Sequence, residues 1–169
     1  MKPRLKNNLF PNITNSTHSL IRPANAQAWR AYDDIRRKEL FEARGRFNYQ
    51  PNHPDEYEPG NHPFLLLLGD APIGTVRVDL PPGKRTAIFR LIAISSAHQR
   101  QGHGTLLMQL AEEFALKNDR PLFVVNSAPD AVGFYETLGY RLDPSSPENE
   151  PAHPRMVRIA DKRLKSAGL

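Results

Sequence analysis

Cysteine is absent from all 169 residues, which removes disulfide scaffolds, Cys-ligated zinc, iron–sulfur clusters and cysteine nucleophiles at once. Its absence is compatible with a reducing cytosol. Long apolar runs are missing too. The longest, Phe64–Leu68, has five residues, against roughly 20 for a membrane span and about 7–15 for the core of an export signal. The expectation is a soluble, cytoplasmic protein with no membrane partner. There is no Lys/Arg block of five or more, no RNP-like aromatic pattern and no zinc-finger spacing, so nucleic-acid binding rests on the net charge of +5 alone. His53 and His62 lie among acidic residues but fit no zinc spacing, and no metal is expected.

What is present suits one ordinary folded domain with long polar loops, since single cores run to roughly 100–200 residues. Charge is uneven: residues 1–50 carry +6, residues 51–62 carry −3 and the remainder +2. Such an excess favours anionic partners in general. Prolines cluster at Pro51, Pro54, Pro59 and Pro63, and again at Pro144, Pro147, Pro151 and Pro154, which marks two irregular loops. The polar, unpatterned start predicts a flexible arm over residues 1–17, with a single domain over 18–169.

The spacing of Ala28, Ala31, Tyr32, Ile35 and Leu40 predicts a helix over residues 24–42, with a break near Asp33–Asp34 and Gly45 as its stop. Residues 63–69 and 73–80 read as a hairpin, and 86–94 as a third strand. Leu107, Leu110, Ala111, Phe114 and Ala115 form the apolar face of a second helix. After a buried-type strand at 121–126, Ser127 offers an N-cap, Pro129 a first-turn residue and Gly139 the C′ position of a third helix. Residues 140–142 and 156–159 complete the sheet.

The turn between the third strand and second helix is chemically suggestive. Gly102 and Gly104 remove side chains where an anion can approach free helix N-terminal amides, and Gln99 and Arg100 add donors at the rim. A structural turn carries the same glycines. The ending of a Walker loop is absent, and so is the third glycine of a Rossmann fingerprint.

Two blocks together carry a resemblance. The run from Leu91 to Gly104, ending in Gln99-Arg-Gln-Gly-His-Gly, resembles the acetyl-CoA signature Q/R-x-x-G-x-G/A of the GCN5-related N-acetyltransferases. Downstream, Asn126 followed by Phe134-Tyr-Glu-Thr-Leu-Gly-Tyr140 is similar to the family's second block. Residues 69–78 resemble its hairpin, and Ser96 departs from a common proline. The resemblance implies a mixed, mostly antiparallel α/β (α+β) sheet flanked by helices and splayed open at an acetyl-CoA site. It implies cofactor contacts at Ile92, Ala93 and Ile94, then Gln99, Arg100, Gln101, Gly102, His103, Gly104 and Thr105, and finally Asn126 and Phe134. Tyr135 matches the tyrosine that protonates the leaving thiolate.

The activity so implied is acetyl transfer from acetyl-CoA to a primary amine, without metal. A small molecule or amino acid is the first acceptor class, and a protein or peptide amine the next. No Glu lies on the signature strand, which leaves Asp79, His98 or a water chain as general base. Phe47, Tyr49, Asp55, Glu56, Tyr57 and Glu58 suggest a loop that holds a cationic amine, with a solvated loop as the plainer reading. The alternatives are acetylation of aminoacyl-tRNA, drawing on Arg36, Arg37 and Lys38, and a non-catalytic acetyl-CoA-binding regulatory module. A homodimer is compatible with all of these.

Overall fold

In the computed structural model, which describes residues 13–15, 17–146 and 152–160, the chain runs β1 (Ile13–Asn15), β2 (His18–Ile21), α1 (Ala26–Arg36), β3 (Asn61–Leu68), β4 (Ala71–Asp79), β5 (Thr86–Ile94), α2 (His103–Lys117), β6 (Leu122–Asn126), α3 (Val132–Thr137), β7 (Arg141–Leu142) and β8 (Arg155–Ile159). The strands form one eight-stranded sheet of order β1-β2-β3-β4-β5-β6-β8-β7. Every neighbouring pair is antiparallel except β5–β6. The expected mixed, mostly antiparallel sheet is therefore the one formed. Of the arm expected over 1–17, residues 1–12 and 16 lie outside the described residues, and Ile13–Asn15 pairs with β2 at the sheet edge.

Period-two alternation decides what each face of the sheet covers. Phe64 and Leu66 of β3, Val76 and Val78 of β4 and Phe89 of β5 pack with Leu107, Met108, Ala111 and Phe114 of α2. On the opposite face, Leu65 and Ala93 pack with Tyr32 and Ile35 of α1. Burying a leucine such as Leu65 or Leu66, which are at most 2% exposed, contributes about 1.5–3 kcal/mol. No helix among the described residues is long and apolar enough to cross a membrane.

Two local expectations are corrected. The first helix does not break at Asp33–Asp34, because Asp34 accepts a hydrogen bond from Arg37 and Asp33 one from Tyr49; α1 continues to Arg36 and then widens into a π turn over Arg37–Phe41. Ser127 does not cap α3, since its hydroxyl donates to the Ala128 carbonyl and a 3₁₀ turn, Pro129–Ala131, intervenes. Gly139 does stand just past α3, with φ of +89°, as a left-handed C′ residue does.

Candidate active site

The site begins with one extra residue in β5. Thr75 pairs with Ala93 and Arg77 with Arg90, so a two-residue step along β4 is matched by a three-residue step along β5. Leu91 absorbs the surplus at φ +54°, and the Thr75 hydroxyl donates to its carbonyl at 3.2 Å. A bulge of this kind bends a strand and redirects the residues beyond it. β5 and β6 accordingly pair only from Thr86–Leu122 to Phe89–Val125, and Arg90–Ile94 leaves β6. The sheet opens there into a cleft between parallel strands.

At the head of that cleft stands the N-terminus of α2. Gly102 caps it at φ +86°, and a Cβ placed there meets nothing within 4 Å, so the approach to the amides of the first turn is open. Leu106 makes the first bond of the helix, to the Gly102 carbonyl, which leaves the preceding amides for an anion. Arg100 is exposed beside them. The side chain of Gln99 is turned away from the approach: it donates to the Ile94 carbonyl at 2.8 Å and to Glu39 at 3.2 Å, bracing the loop against the turn after α1. Gln101 likewise donates to the Ala97 carbonyl. His103 hydrogen bonds to His18 at 2.9 Å, and burial together with His103 pulls the His18 pKa below its ordinary value.

Ile92, Ala93 and Ile94 form the cleft's edge, and Phe134 reaches it from α3. A Cβ on Gly104 would lie 3.4 Å from the Phe134 ring and 3.8 Å from Ile94, in ordinary contact with both, which places the start of α2 directly against α3 and the strand. Tyr135, the next residue, is 7% exposed between the rings of Phe134 and Tyr140. Burial pushes its phenol up to about 12, and its hydroxyl takes no hydrogen-bond partner among the described residues. Thr105 follows Gly104 in the first turn of α2.

Asn126, at the end of β6, lines a cavity of about 570 Å³ with Phe89, Arg90 and Leu91 of β5, Arg77 of β4, Arg36 of α1, and Phe41, Tyr49, His53 and Glu56 from the segment between α1 and β3. Its polar wall is a chain of ion pairs. Glu56 accepts from Arg36 at 2.6 Å, Tyr32 at 2.9 Å and Arg77 at 3.3 Å. Asp79 accepts from Arg77 at 2.8 and 3.0 Å and from Arg90 at 2.8 Å. Both oxygens of each carboxylate are occupied. Of the loop acids expected to hold a cationic amine, Glu56 is committed to arginines, Asp55 is exposed and lines the cavity, and Glu58 is exposed. Burial, with its hydrogen bond to Asp33, raises the Tyr49 phenol well above its ordinary value.

The two base candidates are placed apart. Asp79 is held by Arg77 and Arg90 beside the cavity. His98 sits on the far side of the β5–α2 loop, with Ser95 and the His103 ring. Of the basic trio considered for RNA, Arg36 is buried and Arg37 bridges Asp34 and Glu42, leaving Lys38 unencumbered. Among the described residues no cluster of three His, Cys, Asp or Glu is arranged to hold a metal ion.

Arg36 and Arg77 are functional-looking residues that no motif in the sequence marks. Arg36 stands one position past Ile35 on the buried face of α1, a placement unusual enough for a charge to signal a partner.

Residues 22–140 match the model of the acetyltransferase (GNAT) family. The uncharacterized N-acetyltransferase YjcF of Bacillus subtilis is 27% identical over 88 residues, a stretch that spans 52% of this chain and 61% of that protein. Among solved structures, Escherichia coli ElaA superposes with a TM-score of 0.70 at 15% identity, covering 83% of this chain and 97% of that one. A chimera of spermidine N-acetyltransferase SpeG from Vibrio cholerae and hSSAT gives 0.67 at 20% identity, covering 89% and 99%. At these identities the likeness to solved structures is one of fold.

Proposed function

The chain belongs to the acetyltransferase (GNAT) family, and on that premise we propose that it transfers the acetyl group of acetyl-CoA to the primary amine of a small molecule or peptide. The observation that carries this is the cleft: a strand pair that parts at Phe89–Val125 and opens onto an uncovered helix N-terminus. Those residues fit the cofactor. The first-turn amides of α2, with Arg100, suit a pyrophosphate, and the backbone of Ile92–Ile94, unpaired on its β6 side, suits the amide-bearing arm, with Asn126 across the gap.

Acetyl-CoA supplies a thioester carbonyl and a thiolate leaving group. In the transfer the amine nitrogen bonds the carbonyl carbon and gives up a proton, the carbon–sulfur bond breaks, and the sulfur gains a proton. Tyr135 holds that proton at its hydroxyl: a phenol pushed up to about 12 stays protonated at every physiological pH and has no protein acceptor competing for it. Arg77 and Arg90 keep Asp79 from serving freely as base, which favours water as the acceptor of the amine proton. The same arrangement supports, as second reading, a module that binds acetyl-CoA without turnover.

Calorimetric titration with acetyl-CoA tests the cofactor. One saturable site per chain is expected for wild type and none for Gly102→Asp, which sets a carboxylate where the pyrophosphate lies. Gly102→Asn, which tolerates the left-handed backbone without charge, separates electrostatics from strain and retains binding. An amine panel then decides between turnover and binding alone. No binding to folded wild type refutes both.

A further inference from the structure

The cavity wall carries guanidinium donors that its carboxylates do not use up. Its wall joins three guanidinium groups, Arg36, Arg77 and Arg90, through two carboxylates, Glu56 and Asp79, and the carboxylate of Asp55 lines the cavity as well. Arg77 is spent, with Nε, Nη1 and Nη2 all donating. The other two are not. Arg90 gives only Nε, to Asp79, and both its terminal nitrogens lack a partner among the described residues; its side chain is 39% exposed on the cavity side. Arg36 gives only Nη1, to Glu56, and its Nε is buried with no partner among the described residues.

We propose that the acceptor is an amine that also carries a carboxylate, an amino acid in the broad sense, docked by its acid group on Arg90 with Arg36 behind it. This rests on the acetyl-transfer reading above and deepens it. A planar guanidinium edge matches a carboxylate in two parallel hydrogen bonds, which a single ammonium could not do. Apolar surface from Phe41 and Leu91 in the same cavity receives the rest of the molecule. Arg90 lies two residues before Ile92, so the strand that borders the cofactor cleft also carries the acid-binding group.

The test compares alanine and phenylalanine with their amides, and with phosphoethanolamine, as acceptors at saturating acetyl-CoA. The amide's amine is less basic and so more of it is unprotonated, which makes a preference for the acid a strict result. Wild type should prefer the acids by about 10- to 100-fold in kcat/KM, the worth of one or two hydrogen bonds between charged groups. Arg90→Gln should bring the ratio to unity or below through KM. Arg77 still clamps both oxygens of Asp79 in that variant, which protects the fold. Arg90→Lys, keeping charge without the fork, should fall between.

Equal use of amides, a preference that survives Arg90→Gln, or a preference for phosphoethanolamine overturns the proposal while leaving acetyl transfer intact. Calorimetry with N-acetylalanine provides a readout without turnover. Binding weakened in Arg90→Gln supports the anion site even if catalysis fails. Undetectable or unchanged binding overturns it even if acetyl-CoA binds.

Discussion

Replacing Glu56 by glutamine tests whether the acceptor wall is held together as described. Glu56 is the joint of that wall: its side chain is 3% exposed and accepts from Arg36, Arg77 and Tyr32, tying the 3₁₀ turn Pro54–Tyr57 to α1 and β4. Glutamine preserves shape and one acceptor but removes the charge, and its amide donors then face guanidinium donors. Breaking one side of a buried ion pair costs about 3–5 kcal/mol; with one acceptor retained the lower end applies, about 3 kcal/mol. For a chain of this length each kcal/mol lowers Tm by about 2–4 °C, so a fall of about 6–12 °C is expected in differential scanning calorimetry at neutral pH. Replacing both partners by apolar groups, Glu56→Leu with Arg36→Met, should recover at least half of the loss, because Arg77 keeps Asp79 and the buried charges go together. A Glu56→Gln protein melting within about 2 °C of wild type refutes the reasoning. So does a double variant no more stable than the single one.

Three further outcomes hang on single groups. Tyr135→Phe should lower kcat by about 10²-fold or more with acetyl-CoA affinity unchanged, and wild-type kcat should show no loss attributable to this acid up to about pH 10, since its pKa lies at about 12; stopped-time product assays across pH check both. Burial, and then the neighbouring Arg22, depress His62 to about 4, while Asp79 opposes them. The unfolded chain takes up this proton first, so stability is complete above about pH 6.5 and is lost as pH falls through about 4. Discounted for a half-exposed ring, the loss is about 1–2 kcal/mol and is absent in His62→Gln, as urea denaturation at pH 7 and 4 can show. Leu91→Gly should stay within about 1 kcal/mol of wild type in urea denaturation, as relief of the left-handed backbone offsets lost packing, whereas the β-branched Leu91→Val should cost about 2 kcal/mol.

Elements were legible in the sequence where one residue's neighbours along the chain decide its conformation. The hairpin β3–β4 is written in apolar runs about Gly69–Asp70, with Gly69 at φ +59°, and α2 in its 3-and-4 spacing behind Gly102. What failed to show is what pairing across the sheet decides. The surplus residue at Leu91 exists only relative to β4, and leucine in that conformation runs against its own preference. The helix through Asp33–Asp34 likewise depends on Arg37 and Tyr49, whose donors occupy carboxylates that would otherwise favour a break.

The two halves of the site differ in the same way. The turn proposed to hold the cofactor's phosphates is contiguous, because successive amides of one helix N-terminus make it, and so Gln99–Thr105 can be read as a motif. An acceptor wall has no such constraint. Thr75, Arg77 and Asp79 alternate on one face of β4 with Gly74, Val76 and Val78 on the other, a pattern that reads as a strand half in water. In the fold, α1 and the segment between it and β3 cover that face, leaving Thr75, Arg77 and Asp79 buried and turning surface charges into a network. The loop's composition, with Asp55, Glu56 and Glu58, points to an acidic site for a cation. Once Glu56 is spent on Arg36 and Arg77, the cavity keeps Asp55 beside the unpartnered terminal nitrogens of Arg90, so its wall offers both signs. The charges the cavity offers are therefore set by which partners are already taken, a property of the packed fold that no count of residues in the loop contains.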